Sequence, residues 1–235
     1  MPPPFGRLPD AQERRVKQTW APRLTVPVMT FDSSDDRLVP RDGATAVVVV
    51  ELFGARVVVG PPHVMGALEG LETWDEPGLL SRLARFGPRP IGTAWLSYCQ
   101  EPPLLNDVAI EPAASATAEV LRNRCPPDEW DEGGLDAMPD RWVAFTPGGE
   151  PAAIAGYERW DPGLAHLGVA TDPDVRGRGC ATTAAGAAVA AALAEGLIAQ
   201  WRCRVGNAAS ERLADVLGFT RVGRQIAVSV DIPAA

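Results

Sequence analysis

Lysine is almost missing from this 235-residue chain: Lys17 is the only one, and the other basic side chains are arginines. Histidine is nearly as scarce, with His63 and His166 alone. The four cysteines, Cys99, Cys125, Cys180 and Cys203, are scattered and never form a CxxC pair. A zinc site needs clustered Cys or His ligands, so no metal site is spelled. Nothing points to an oxidising compartment, and the thiols read as small buried hydrophobes. No run of eighteen strongly apolar residues is present, which argues against a transmembrane helix. The opening Met1-Pro-Pro-Pro-Phe5 lacks the basic-then-apolar order of a secretory signal, so a soluble, cytoplasmic protein is expected. Positive charge is short overall. A formal charge of −8 and a pI near 4.9 oppose sequence-independent nucleic-acid binding.

What the chain has is a globular composition, 46% hydrophobic and 22% charged, with Gly and Pro at 23 each. Residues 1–20 are proline-rich and then charged, and read as an arm or a weak helix; β-rich runs are then expected at Leu24–Phe31, Ala46–Leu52 and Arg56–Val59. Phe53-Gly54 is the turn between the last two. Pro61–Leu71 and Pro77–Phe86 open with proline and carry helical apolar spacing, and Ile91–Tyr98 reads as a strand. This α/β block carries no motif with chemistry. A boundary is expected near Glu101-Pro-Pro103, giving domains 1–105 and 106–235. The second domain reads as a short strand Val108–Ile110, a helix Ala113–Arg124 stopped by Cys125-Pro-Pro127, and a short helix over Asp128–Glu132. Strands Arg141–Thr146, Ala152–Trp160 and Leu164–Thr171 follow. Then come a glycine turn and alanine-rich helix (Arg176–Gly196), a strand Gln200–Val205, a helix Asn207–Leu217 and a closing strand Thr220–Val230.

The informative run is His166-Leu-Gly-Val-Ala-Thr-Asp-Pro-Asp-Val-Arg-Gly-Arg-Gly-Cys-Ala-Thr182. A strand ends, an acidic loop follows, and Arg176-Gly-Arg-Gly179 leads into a helix. Glycines let the backbone turn tightly and bring N–H groups up to a ligand. The helix start adds unpaired donors and a partial positive charge, and Arg176 and Arg178 add full charges. Together these suit a pyrophosphate or similar polyanion. A dinucleotide fingerprint wants GxGxxG directly after the strand, but Thr182 replaces its third glycine and the strand lies five residues back. A P-loop wants Gly-Lys-Ser/Thr, and no lysine is present there. The acyl-CoA pattern R/Q-x-x-G-x-G/A is met by Arg176, Gly179 and Ala181.

Downstream stand the strand Trp201-Arg-Cys-Arg-Val205 and Asn207-Ala-Ala-Ser-Glu-Arg-Leu-Ala-Asp-Val-Leu-Gly-Phe219. This order resembles the GNAT superfamily of acyl-CoA N-acyltransferases. The resemblance implies an α/β (α+β) fold with a mixed, mostly antiparallel central sheet flanked by helices, and acetyl-CoA as the cofactor. The first domain would be a smaller, GNAT-like α/β half. Two central strands, here Leu164–Thr171 and Gln200–Val205, would splay apart and admit the pantetheine arm near Val169, Ala170 and Thr171. The amides of Arg176, Gly177, Arg178, Gly179, Cys180 and Ala181 would hold the pyrophosphate. Asn207 would bond the pantetheine, and Ser210 or Arg212 the outer part of CoA. Glu129–Leu135, Ala155–Trp160 and Ala165–Val169 also resemble a bacterial subgroup that includes self-resistance acetyltransferases for amine-bearing peptide antibiotics such as zwittermicin.

The implied reaction is direct attack of a neutral amine on the thioester, with a backbone N–H near Val169 or Ala170 stabilising the oxyanion. Candidates for the base are Glu158, His166 and Glu129, with Glu132 a further one. The family's tyrosine acid, four residues before the Gly-Phe glycine, is replaced by Ala214. That departure keeps open a non-catalytic acyl-CoA-binding protein. Charge distribution points to the acceptor: residues 101–161 carry thirteen acids against four arginines, a net of −9. Such a wall would concentrate a small cationic amine. The expected partner is that small molecule, with no nucleic acid and no membrane, in a monomer or homodimer.

Overall fold

The structure is a computed structural model that describes residues 5–99, 101–103, 109–160 and 163–231. The expected strand start at Val108, the acids Asp107 and Asp161, and the expected boundary at 105/106 lie outside the described residues. The chain forms two compact units, neither continuous in sequence: Met1–Leu96 with Cys203–Asn207 and Arg221–Ala235, and Ser97–Arg202 with Ala208–Thr220.

The first unit opens with helix α1 (Asp10–Leu24), whose Val16, Thr19, Trp20, Ala21 and Leu24 are buried. Lys17 on α1 is held between Glu13 at 2.7 Å and Asp32 at 2.8 Å. Burial works against its charge, but the hydrogen bonds to Asp32 and Glu13 prevail and raise its pKa above the ordinary 10.5. The strand expected over Leu24–Phe31 does not form. Thr25 ends α1 in the left-handed region (φ 59°), and a 3₁₀ turn spans Val28–Asp32. Pro27 has no N–H to give to a ladder, which favours the turn over a strand. Strands β1 (Asp36–Pro40), β2 (Ala46–Leu52), β3 (Ala55–Gly60), β4 (Arg89–Cys99) and β10 (Thr220–Ser229) build this unit's sheet in the order β1-β3-β2-β10-β4, with β4 beginning here and passing on into the second unit. Phe53 and Gly54 both have positive φ (54° and 89°), the backbone that a two-residue hairpin needs. Helices α2 (Pro62–Leu68) and α3 (Glu76–Arg82) cover one face, with Val64, Leu68, Leu79 and Leu83 packed on Val47, Val49, Val58, Ile226 and Val228. The closing strand β10, expected in the second domain, lies in this unit because seven of its residues pair antiparallel with β2.

The second unit carries the loop with chemistry. Its strands are β5 (Ile110–Pro112), β6 (Arg141–Phe145), β7 (Pro151–Trp160), β8 (Leu164–Thr171) and β9 (Ile198–Arg204), ordered β9-β8-β7-β6-β5. All neighbours are antiparallel except β8 and β9. Every residue of β7 from Ala152 to Tyr157 is buried, as a strand covered on both faces must be. One face meets helices α4 (Ser115–Arg124) and α5 (Pro127–Gly133), through Ala118, Leu121, Trp130, Val143, Ile154 and Ala170. The other meets α6 (Cys180–Ala194), whose Ala184, Ala185, Ala188 and Ala192 permit close approach. Helix α7 (Ala208–Val216) follows β9. Among the described residues no helix is long and apolar enough to cross a membrane.

Candidate active site

Strand β8 pairs with β7 along its whole length, from Leu164 to Thr171. Its parallel pairing with β9 is much shorter and stops at His166↔Gln200. From Leu167 onward the β9-facing edge of β8 has no strand partner among the described residues. Val169, Ala170 and Thr171 lie on that edge. Helix α5 closes on the same stretch, and the β8 side of the contact requires glycine. A Cβ at Gly168 would lie 1.9 Å from the Gly133 carbonyl oxygen, whereas one at Gly133 would meet the Val169 oxygen at an ordinary contact distance of 3.4 Å.

The chain then enters the loop. Asp172 turns it, its carboxylate accepting the Asp174 N–H at 3.0 Å over the 3₁₀ turn Pro173–Val175. Gly177 and Gly179 take positive φ (76° and 83°), and α6 starts at Cys180. Thr183 is the first residue of α6 whose N–H finds a carbonyl, that of Gly179 at 3.1 Å. The amides of Cys180, Ala181 and Thr182 are therefore the helix's open donors. Arg176, Gly177 and Arg178 are exposed, Gly179 and Ala181 half-buried, and Cys180 buried. Arg178 also lines a cleft of about 830 Å³ together with Arg124, Thr146, Pro147, Glu150 and Asp174.

The expected base candidates separate. Arg176 Nη2 donates to both oxygens of Glu129, at 2.8 and 2.7 Å, so Glu129 is tied to the loop. Cys125 lies close by; burial, with the charges of Asp172 and Glu129 adding to it, pushes its thiol up to about 11 against an opposing effect of Arg176. Glu158 and His166 are register partners across β7 and β8. Glu158 is exposed and accepts the Trp160 indole N–H at 3.2 Å. His166 is half-buried, stacked on Trp160 with centroids 4.7 Å apart, and its Nδ1 is 3.2 Å from Gln200 Nε2.

Ser210 takes the Trp201 indole N–H at 3.0 Å. Asn207 belongs to the first unit's Cys203–Asn207 segment, where its N–H bonds the Arg204 carbonyl. Ala214 is buried. Sequence reasoning missed Tyr98 and Gln200, a buried pair joined at 2.9 Å. Gln200 did carry a signal: it is a polar residue inside the apolar strand Ile198-Ala-Gln-Trp201.

None of the curated proteins matches the chain. Among solved structures, a GNAT-family protein from Novosphingobium aromaticivorans matches at 25% identity, covering 62% of this chain and 69% of that one, with a TM-score of 0.48. A GCN5-related N-acetyltransferase from Kribbella flavida matches at 19% identity, 68% and 65% coverage and a TM-score of 0.50, a likeness of fold. A GCN5-related N-acetyltransferase-like protein from Streptococcus suis matches at 16%, with 79% and 84% covered and a TM-score of 0.49. The chain spans about two thirds of the length of the first two. Residues 108–219 match the acetyltransferase (GNAT) family, a stretch that runs from β5 through the glycine loop to Phe219. The second unit's mixed, mostly antiparallel sheet, flanked by helices, is the fold of that family. Over residues 108–219 the chain is therefore similar to the acetyltransferase (GNAT) family, in sequence pattern and in fold.

Proposed function

We propose that the chain moves an acetyl group from acetyl-CoA to the primary amine of a small cationic molecule, by direct attack with both bound. The observation that carries this reading is the early end of β8–β9 pairing, directly upstream of the open amides of α6. An unpaired strand edge at Leu167–Thr171 fits the amide-bearing pantetheine arm. The amides of residues 180–182, with Arg178 beside them, fit a diphosphate. Acetyl-CoA supplies the acetyl group as a thioester, whose thiolate leaves with little help because a thiol pKa is near 8.5.

The chain's own groups do the rest. The backbone N–H of Val169 or Ala170 would donate to the carbonyl oxygen as it gains charge. Glu158 or His166 would take the proton of the incoming ammonium, directly or through water. The amine nitrogen then bonds to the carbonyl carbon as the carbon–sulfur bond breaks. The acids of residues 101–161 support a cationic acceptor, and α5, against β8, carries four of them: Asp128, Glu129, Asp131 and Glu132. The first unit, on this reading, is a diverged GNAT-like half, as in the bacterial subgroup with the zwittermicin-type resistance enzymes. Amine-bearing peptide antibiotics therefore belong in the acceptor panel, and the protein is expected to work in the cytoplasm.

The test is acetyl-CoA-dependent thiol release over a panel of amines, with cationic acceptors favoured. The second reading, a binder without turnover, draws on Ala214, 5% exposed where the family's tyrosine acid would stand. It predicts thermal stabilisation by acetyl-CoA but no thiol release with any amine.

A further inference from the structure

Three side chains from three strands meet where β8 and β9 part. Tyr98 on β4 and Gln200 on β9 are 1% and 0% exposed, and both belong to the second unit. The Tyr98 hydroxyl donates to Gln200 Oε1 at 2.9 Å, and Gln200 Nε2 stands 3.2 Å from His166 Nδ1. A buried carboxamide has to satisfy both of its ends. With Oε1 receiving the phenol, the end turned to His166 is the NH₂, which can only donate. An imidazole nitrogen accepts a hydrogen bond only when it carries no proton, so Nδ1 is bare and the neutral ring keeps its proton on Nε2. Trp160, stacked at 28° to the ring, holds its plane.

Resting on the acetyl-transfer reading above, we propose that Tyr98 and Gln200 are positioning residues. They fix His166 as the Nε2–H tautomer, a hydrogen-bond donor at the mouth of the splayed strands, and leave the base role to Glu158. Nδ1 is engaged and Nε2 is protonated, so the resting ring has no lone pair to offer an ammonium. Taking a proton would require the Gln200 amide to turn over, presenting Oε1 to a new Nδ1–H and its NH₂ to the Tyr98 oxygen. Glu158 faces no such constraint. Its carboxylate is exposed, accepts one N–H from Trp160, and keeps oxygen lone pairs for a water that relays the proton. The charged groups on the elements packed around His166 are Glu158 and Arg159 on β7, Arg202 and Arg204 on β9, and Asp128, Glu129, Asp131 and Glu132 on α5. On β4 the stretch from Thr93 to Cys99 carries none.

With only two histidines in the chain, ¹⁵N-histidine NMR reads the tautomer directly, and a His63→Gln sample assigns the signals. The wild-type protein is expected to show His166 with Nδ1 unprotonated and Nε2–H populated, and Tyr98→Phe to convert it to a mixture while lowering kcat about tenfold with little change in KM. In the pH profile of kcat/KM, His166→Gln should keep the acid limb and Glu158→Gln should lose it. An Nδ1–H tautomer in the wild type, an unchanged spectrum in Tyr98→Phe, or an acid limb lost in His166→Gln would overturn the assignment. Absence of thiol release with every amine would defeat the acetyl-transfer reading instead, and the wild-type spectrum would still decide the tautomer.

Discussion

Both carboxylate oxygens of Glu129 lie within 2.8 Å of one guanidinium nitrogen of Arg176, so helix α5 and the glycine loop are tied by a single charged contact. A diphosphate at the loop has to share Arg176 with that carboxylate. Glu129→Gln is therefore expected to tighten CoA binding about fivefold at low salt, the worth of roughly 1 kcal/mol of relieved repulsion. Isothermal titration calorimetry checks the affinity. Turnover should stay within a few-fold of wild type, the proposed base being Glu158.

Gly168 is fixed by space rather than by its own backbone. A methyl group there would lie 1.9 Å from the Gly133 oxygen, and also 2.7 Å from the end of the Met138 side chain. Backbone cannot yield as a flexible side chain can. Gly168→Ala should cost about 2–3 kcal/mol in urea unfolding and weaken acetyl-CoA binding as α5 is pushed off β8.

At Gly179 the constraint is conformational. Its φ of 83° is open to glycine and strained for other residues, and its carbonyl starts α6 by accepting from Thr183. Gly179→Trp is expected to abolish CoA binding while circular dichroism stays native. Retained affinity would place the diphosphate elsewhere.

Cys125 gives a pH signature. Its folded pKa of about 11 lies above the ordinary 9.0, so folding favours the neutral thiol. That contribution is full below about pH 9 and is lost as pH rises toward 11, because the unfolded chain can ionise where the folded one resists. Urea midpoints at pH 8 and pH 10.5 should differ less in Cys125→Ala than in wild type. All four thiols are buried, so Ellman's reagent should react only on unfolding.

The sequence was most readable where local rules decide. The Leu164–Thr171 strand, the Phe53-Gly54 turn and the loop before α6 each follow from residues within a few positions of one another. Strand β1 was missed because Asp36, Arg37 and Pro40 give it no apolar alternation; it is parallel to β3 and, among the described residues, has strand pairing on one side only. The Tyr98–Gln200 contact spans 102 positions, and periodicity does not tell which strands become neighbours. The same limit hid the pairing of β10 with β2 and the tie between Glu129 and Arg176.

Lys17, held protonated between Glu13 and Asp32, is the only side-chain amine on a protein read as a modifier of amines. A protonated ammonium is no nucleophile, so the chain offers almost nothing of itself to its own chemistry. Acetyl groups consumed in an assay should therefore appear on the added acceptor, with intact-mass spectra of the protein staying unlabelled at this side chain even after long incubation.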